Sequence, residues 1–462
     1  MNYPLISEYI EAIKSAEDNF EELSYLRPVL GNDGLPVMTS GNFAVVFKMV
    51  DKRNRKTYAV KCFTKEQEGR AEAYHEITKE LKECSSSYLT SVRYLEKELF
   101  VDTDQTPESE FPILLMRWVE GKPLDKYVRE NVNNVFVLKM LVYRFGQLSK
   151  WLVQQPFAHG DIKPDNILVL QNGALVLVDY DGMYVPAMKG QKSRELGSPD
   201  FCHPKRTENV FNERIDDFSL ISILLSLKLI SIDPVLLDKF GAADRLLFSK
   251  EDYQDITKCK LLKQIYPSLD SEVNKMVSGF VDLLTNTNIR LSSSDFNANN
   301  EMEELSTIVQ NEEYDNSIVD KDVIYSDNNN KILGCADATN YNYSIKEGCE
   351  IICDYAFCGM CQMLESITIP SGVKAIGRLA FSGCYLQSIV LPHTVRMIGD
   401  EAFSCNPFLY SICIPSSVEY IGKSIFKDCN NYFVIYVEKG TTEKFKKMLP
   451  EYKDKIEDGM LW

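Results

Sequence analysis

Apolar residues recur along this chain in three rhythms, and each predicts a different kind of element. Near the start, Leu5, Tyr9, Ile10, Ile13 and Phe20 fall close to helical spacing, which predicts an amphipathic helix within residues 1–28. "NFAVVFKMV" and "KTYAVKCF" are rich in β-branched and aromatic residues and read as strands. "EGRAEAYHEITKELKEC" then reads as a helix. The longest apolar run is "FSLISILLSLKLISI", Phe218 to Ile232. With Lys228 inside it, the run falls short of the roughly 20 residues that cross a bilayer, so it predicts a buried core helix.

After about residue 292 the rhythm stops. Residues 293–333 hold ten acidic residues against two lysines, half the excess charge of the chain. That composition predicts a flexible acidic linker. A third rhythm follows. "ICDYAF", "IGRLAF", "IGDEAF" and "IGKSIF" begin at Ile352, Ile376, Ile398 and Ile421, spaced 24, 22 and 23 residues apart. Each unit ends in a strand-like "ITIP", "IVLP", "ICIP" or "IYVE", with Pro370, Pro392 and Pro415 at matching places. A period in this range with one short strand per unit is the pattern of a leucine-rich solenoid over residues 334–440. Its Ile, Ala and Phe positions would stack on themselves in successive units. "YVEKGTTEKFKKMLPEYKDKI" predicts a last strand, a Gly turn and a helical cap over 441–462.

Composition narrows the function classes. The chain has 462 residues, too many for one ordinary core, and a formal net charge of −16. Such acidity argues against a nucleic-acid binder or a binder of anionic membranes. The N-terminus lacks the apolar core of a secretory signal. Thirteen Cys, nine of them between Cys335 and Cys429, are therefore expected as reduced thiols in a cytoplasm. Cys361, Cys384, Cys405 and Cys429 recur with the repeat and are expected to stack as buried thiols. Cys358 and Cys361 form a CxxC-like pair, but no second pair answers it at zinc-finger spacing.

The densest chemistry is "HGDIKPDN", His159 to Asn166. Phosphoryl transfer needs a carboxylate for the hydroxyl proton, a cation for the transferring group and oxygen ligands for Mg²⁺. Asp161, Lys163 and Asn166 supply those at the spacing of the HxDxKxxN loop. Thirteen residues on, the strand-like "LVLVDYDGMYV" delivers Asp179 as a second Mg²⁺ ligand. Each residue alone would ordinarily be structural; their joint order and spacing make chance a poor account. His159 is expected to be structural.

These motifs resemble the eukaryotic-type Ser/Thr protein kinases, including bacterial members, over residues 29–292. The repeats resemble the BspA-type leucine-rich repeats of gut and oral bacteria. The resemblance implies an α+β, two-lobed kinase-like domain, with its N-lobe to about residue 119, followed by linker and solenoid. It implies ATP and Mg²⁺ as cofactors and a protein substrate, with a further protein partner at the repeats. Asp161 and Lys163 would be catalytic, and Asn166 and Asp179 would hold the metal. Lys61 in "YAVKCF" would contact the α- and β-phosphates, aimed by a helix carboxylate: Glu72, or Glu76 on the same face. Gly41, Phe43 and Val46 would form the phosphate cover, with Thr39 and Ala44 where the family has further glycines. Met116 would stand at the hinge as gatekeeper, with the backbone of Arg117, Trp118 and Val119 on adenine. The metal-binding DFG of the family is Asp179-Tyr180-Asp181 here. "GSPDFCHP", Gly197 to Pro204, resembles the peptide-docking segment but lacks its closing Glu, the expected partner of Arg290. Asp216 and Phe218 resemble the start of the buried C-lobe helix.

Two other classes stay open. Small-molecule kinases share "HGD" but usually carry His in place of Lys163, and they lack the docking segment. A pseudokinase scaffold would explain the sparse glycine loop and Asp181. Gly160 stands where regulated kinases have Arg, which implies activity without a phosphorylated activation loop.

Overall fold

The computed structural model describes residues 2–459 apart from 42, 244, 266–270, 287–289, 297–299, 310–313, 315–316, 337–341 and 360–363. It divides into two units, residues 1–133 with 144–297 and residues 134–143 with 298–462.

The first unit opens on a six-stranded antiparallel sheet. Its strands are β1 (Leu26–Pro28), β2 (Met38–Ser40), β3 (Ala44–Asp51), β4 (Thr57–Phe63), β5 (Val92–Phe100) and β6 (Glu110–Arg117). The order is β1-β3-β4-β6-β5, with β2 paired to β3. Side chains alternate between the faces of a strand. Val60 and Cys62 of β4 therefore join Val45, Phe47 and Met49 of β3 on one face. The N-terminal segment covers that face with two helices, α1 (Ile6–Lys14) and α2 (Ala16–Asn19), through Tyr9, Ile13 and Ala16. The Tyr9 hydroxyl donates to the Phe63 carbonyl at 2.7 Å, which satisfies its polar end inside the core. Ala59, Lys61 and Phe63 have the opposite parity and take the other face. There helix α3 (Arg70–Glu83) packs Tyr74 beside Phe63, ring centroids 6.3 Å apart.

The rest of the unit is largely helical, around a small sheet of Gly121–Pro123, Ile167–Leu170 and Leu175–Leu177. The long apolar run forms the helix Asp217–Ile232, buried along nearly its whole length. Phe218 stacks on Phe280 at 5.7 Å, and Lys228 reaches Glu272 at 2.8 Å. That ion pair accounts for a lysine inside an apolar helix. Among the described residues, no helix is long and apolar enough to cross a membrane.

The second unit is a solenoid. The expected strand of each repeat is joined by a second, two-residue strand at the Ile of the repeated motif. Ile351–Ile352, Ala375–Ile376, Met397–Ile398 and Tyr420–Ile421 pair in parallel, and so do Ser388–Val390, Ser411–Ile414 and Val434–Val437. Between the sheets Phe357, Phe381, Phe403 and Phe426 stack ring on ring, with successive centroids 5.1, 5.6 and 6.1 Å apart. Gly399 is required by this stacking. A Cβ there would lie 2.5 Å from the Arg378 amide nitrogen of the preceding turn. The cap holds the expected helix, Thr442–Met448, and adds a strand, Ile456–Asp458, that extends the second sheet in parallel.

Two expectations are corrected here. The acidic segment is not wholly a connector. Ile318–Asp320, Val323–Tyr325 and Lys331–Cys335 form antiparallel strands that lead into the first repeat sheet. Val323, Tyr325 and Ile332 turn into the repeat core while Asp320, Asp322 and Asp327 do not, so net charge concealed these short strands. Nor do the cysteines stack uniformly. Cys384 is buried, Cys405 is exposed, and Cys361 lies outside the described residues. Asn406 takes the inward place beside Cys405 and donates to the carbonyls of Phe381, Phe403 and Ser404.

Candidate active site

Four elements of the first unit deliver the functional side chains. The loop His159–Asn166 runs into the strand Ile167–Leu170, and the turn after Leu175–Leu177 brings Asp179 beside it. The Val178 amide donates to the Asn166 carbonyl at 3.0 Å, tying the two stretches together. Asp216 holds the loop from below. Its carboxylate accepts the amides of His159 and Gly160 at 2.5 and 2.9 Å. His159 is structural as expected: its ring meets the Val178 carbonyl at 3.0 Å and the edge of Tyr180.

Asp161 is buried, with both carboxylate oxygens engaged. The Ser198 amide donates to Oδ1 at 3.0 Å, and Lys163 Nζ lies 2.7 Å from Oδ2. The Asn166 side-chain amide donates to the same carboxylate at 3.1 Å and to the Asp161 carbonyl at 2.9 Å. With its nitrogen committed, Asn166 has its amide oxygen to offer a cation. Burial works against the Lys163 ammonium, but Asp161 outweighs it and holds the lysine above its ordinary range.

Lys61 sits on β4 between Val46 of β3 and Leu114 of β6 in register. It is buried, and its ammonium lies 2.7 Å from Asp179 and 2.7 Å from Asp181. Burial opposes its charge, but the two carboxylates prevail and hold Lys61 protonated. Asp179 is half-buried; partial desolvation favours its neutral acid, yet Lys61 outweighs that and keeps the carboxyl below the usual range. Asp179 has a left-handed backbone, φ 69°. Tyr180 fills the core next to it; its hydroxyl donates to the Leu177 carbonyl at 2.8 Å and accepts the Thr90 amide at 2.9 Å. Those partners explain why Tyr can stand where the resembling family has Phe.

The lysine's partner differs from expectation. Glu72 is exposed and Glu76 only half-buried, and the ion pairs of Lys61 go to the two aspartates instead. The buried face of α3 is Arg70, Ala73, Tyr74, Ile77 and Leu81. Glu72 and Glu76 lie off that stripe. The helical periodicity of the apolar positions in the sequence carries this signal.

The expected phosphate cover falls between the paired strands β2 and β3. The Gly41 amide donates to the Ala44 carbonyl at 2.8 Å, and Phe43 projects outward, exposed. At the end of β6, Met116 is buried opposite Ala59. The Trp118 amide donates to the Thr57 carbonyl at 3.1 Å, and Lys48 lies over the Trp118 ring. Val119, half-buried, follows.

Between Asp181 and Ser198 the chain is held by two arginines that the motifs did not reveal. Arg194 donates to the Asp181 and Met183 carbonyls at 3.2 and 3.4 Å. Arg206 donates to the Gly160 carbonyl at 2.9 Å and to the Glu195 carbonyl at 3.3 Å. Gly160 itself (φ 84°) leaves no room for a side chain, since a Cβ would fall 1.9 Å from the Gly182 carbonyl oxygen. At the end of the docking segment Lys205 donates to the Thr285 carbonyl at 3.2 Å, while Arg290 is exposed.

The sequence profile of the protein kinase domain matches residues 35–295, more than half of the chain. The chain belongs to the protein kinase family. A second profile, the BspA type leucine rich repeat region, matches residues 335–449 in six copies. An Aurora kinase of Eremothecium gossypii is 26% identical over 176 residues, 37% of this chain and 43% of that protein. Cyclin-dependent kinase-like 5 of Mus musculus is 26% identical over 148 residues, 32% of this chain and 15% of that protein. The chain thus spans less than half the length of these relatives. Within this kinase, the described site forms two side-chain groups, Lys61 with Asp179 and Asp161 with Lys163 and Asn166, tied by the Val178–Asn166 backbone bond, and leaves Glu72 outside them.

Proposed function

We propose that this kinase transfers the γ-phosphoryl group of ATP to Ser or Thr of a protein substrate. The observation that carries the reading is the convergence on Asp161, whose carboxylate is aimed by Lys163, Asn166 and the Ser198 amide together. Such pre-set hydrogen bonds orient a base without cost at the moment of reaction. The donor set suits a magnesium nucleotide: among the described residues, Asp179 and the Asn166 amide offer oxygen ligands, and the buried cation Lys61 pairs with Asp179 at 2.7 Å. When bound, that group supplies the phosphoryl to be transferred and an ion to neutralise its charge. Asp161 accepts a hydrogen bond from the substrate hydroxyl and orients it. Lys163 balances charge as the proton leaves, and Lys61 fixes the phosphates on the β4 side. Lys163 supports Ser/Thr over Tyr, and the docking segment supports a protein over a small molecule.

A cytoplasmic kinase that acts without activation-loop phosphorylation is part of this reading. Arg194 holds the segment through the Asp181 and Met183 carbonyls, and Arg206 through the Gly160 and Glu195 carbonyls with a longer bond to the Ser193 hydroxyl at 3.4 Å, so the segment is tied down with no added phosphate. The solenoid surface supports a protein-binding role for the repeats. The scaffold reading draws on one observation, the outward Phe43 in a hairpin with a single Gly. Radiolabel transfer from Mg-ATP to a protein substrate separates the two. Transfer is expected from the wild type and is expected to fall at least a hundredfold in Asp161→Asn and Asp179→Asn. Nucleotide binding with no transfer above those variants would favour the scaffold.

A further inference from the structure

We infer that Asp181 is the positioning carboxylate of Lys61, and that Tyr74 ties it to helix α3 in place of a helix glutamate. The inference deepens the proposed phosphotransfer and rests on it for the role of Lys61.

Both Asp181 oxygens are committed. Oδ2 lies 2.7 Å from Lys61 Nζ, and Oδ1 accepts the Tyr74 hydroxyl. Asp179 also touches Lys61, but a metal claims that carboxylate in the proposed reaction, so it cannot serve as the lysine's dedicated partner. Helix α3 offers no acid on its inward face. It offers Tyr74, fully buried and stacked on Tyr94 with centroids 5.8 Å apart and planes 1° from parallel. The chain of contact therefore runs from α3 through Tyr74 and Asp181 to Lys61. A shift of α3 would move the lysine through this bond, as a helix glutamate would do directly.

A carboxylate on a loop can aim a lysine only if the loop is rigid, and this one is. Arg194 holds the Asp181 carbonyl at 3.2 Å, and Gly182 packs directly against Gly160 of the catalytic loop. Asp181 is buried and is not among the residues with a left-handed backbone, so the chain carries a side chain there without backbone strain, and Lys61 and Tyr74 offset the burial of its charge. Its presence where the family has Gly is then a relocated partner rather than a defect.

The test uses the full chain, with Asp181→Asn, Tyr74→Phe, Asp181→Gly and the swap Tyr74→Glu with Asp181→Gly. Affinity for a fluorescent ATP analogue with Mg²⁺ is measured beside transfer kinetics and melting temperature. Asp181→Asn keeps size and polarity but removes the charge. It should cost on the order of a hundredfold in kcat and weaken nucleotide binding. Tyr74→Phe should cost about tenfold, with its melting temperature near wild type. The swap should regain at least about tenfold over Asp181→Gly, because it restores a helix carboxylate. A purely structural Asp181 would give instability without that rescue. The inference is overturned if Tyr74→Phe and Asp181→Asn both keep wild-type affinity and kcat, or if the swap folds and rescues nothing. If the wild type transfers no phosphate, the phosphotransfer reading fails, and the order of nucleotide affinities with its rescue still decides the role of Asp181.

Discussion

At the scale of single residues, unpaired capacity is scarce at the centre of this kinase. Asp161, Lys61 and Tyr180 each have named partners for their polar atoms, as buried groups must. Ser193 shows the same economy. It is buried, and its hydroxyl donates to the Glu195 carbonyl and accepts from Arg206 at 3.4 Å, so it is already engaged on both sides without a phosphate. Converting Ser193 and Ser198 together to Ala should leave transfer within a few-fold of wild type. Abolished activity with fold and nucleotide binding intact would sink the claim of phosphate-independent activation. Asp217 gives a pH prediction. Burial raises its carboxyl from 3.8 to about 6, although the Leu291 amide donates to it at 3.2 Å. The folded state therefore binds this proton more tightly than the unfolded one. Its stabilising effect is complete below the unfolded value and is lost as pH rises through about 6. Melting curves should show Asp217→Asn gaining on the wild type between about pH 4 and about pH 7.

At the scale of elements, periodicity was the reliable guide and motif matching was less so. Strand β4 alternates, and the alternation alone sends Lys61 away from Val60 and Cys62. Helix α3 carries its buried stripe on Arg70, Tyr74, Ile77 and Leu81, which excludes Glu72 from the site. The nearness of the His159–Asn166 loop to the Asp179 turn was legible because their spacing is fixed by one loop and one strand turn. Tyr74 and Asp181 were not, because they are 107 residues apart and meet only across the folded unit. In the solenoid, the repeat told which side chains stack. Phe403 is fully buried between Phe381 and Phe426. Phe403→Ala should cost about 3–5 kcal/mol, read as a lower urea midpoint for the repeat unit.

At the scale of the whole molecule, each unit carries a hydrophobic core of its own, so the number of unfolding transitions is open to measurement. Calorimetry should show a broad or double transition. Phe403→Ala should move the part that belongs to the repeats and leave the rest in place. A single sharp transition displaced as one by that variant would show that the units unfold together.

The sequence by itself determined what local periodicity and fixed spacing can encode: the strands around Lys61, the His159–Asn166 loop, the buried helix from Asp217 and the stacked repeats. It also concealed, behind net charge, the strands between Ile318 and Cys335. Only the tertiary structure decided which carboxylate meets Lys61, which arginines hold the segment before Ser198, and why Gly160 admits no side chain. Those choices rest on distance through space between residues far apart in the chain. A burial stripe can exclude a partner, but only packing names the one that takes its place.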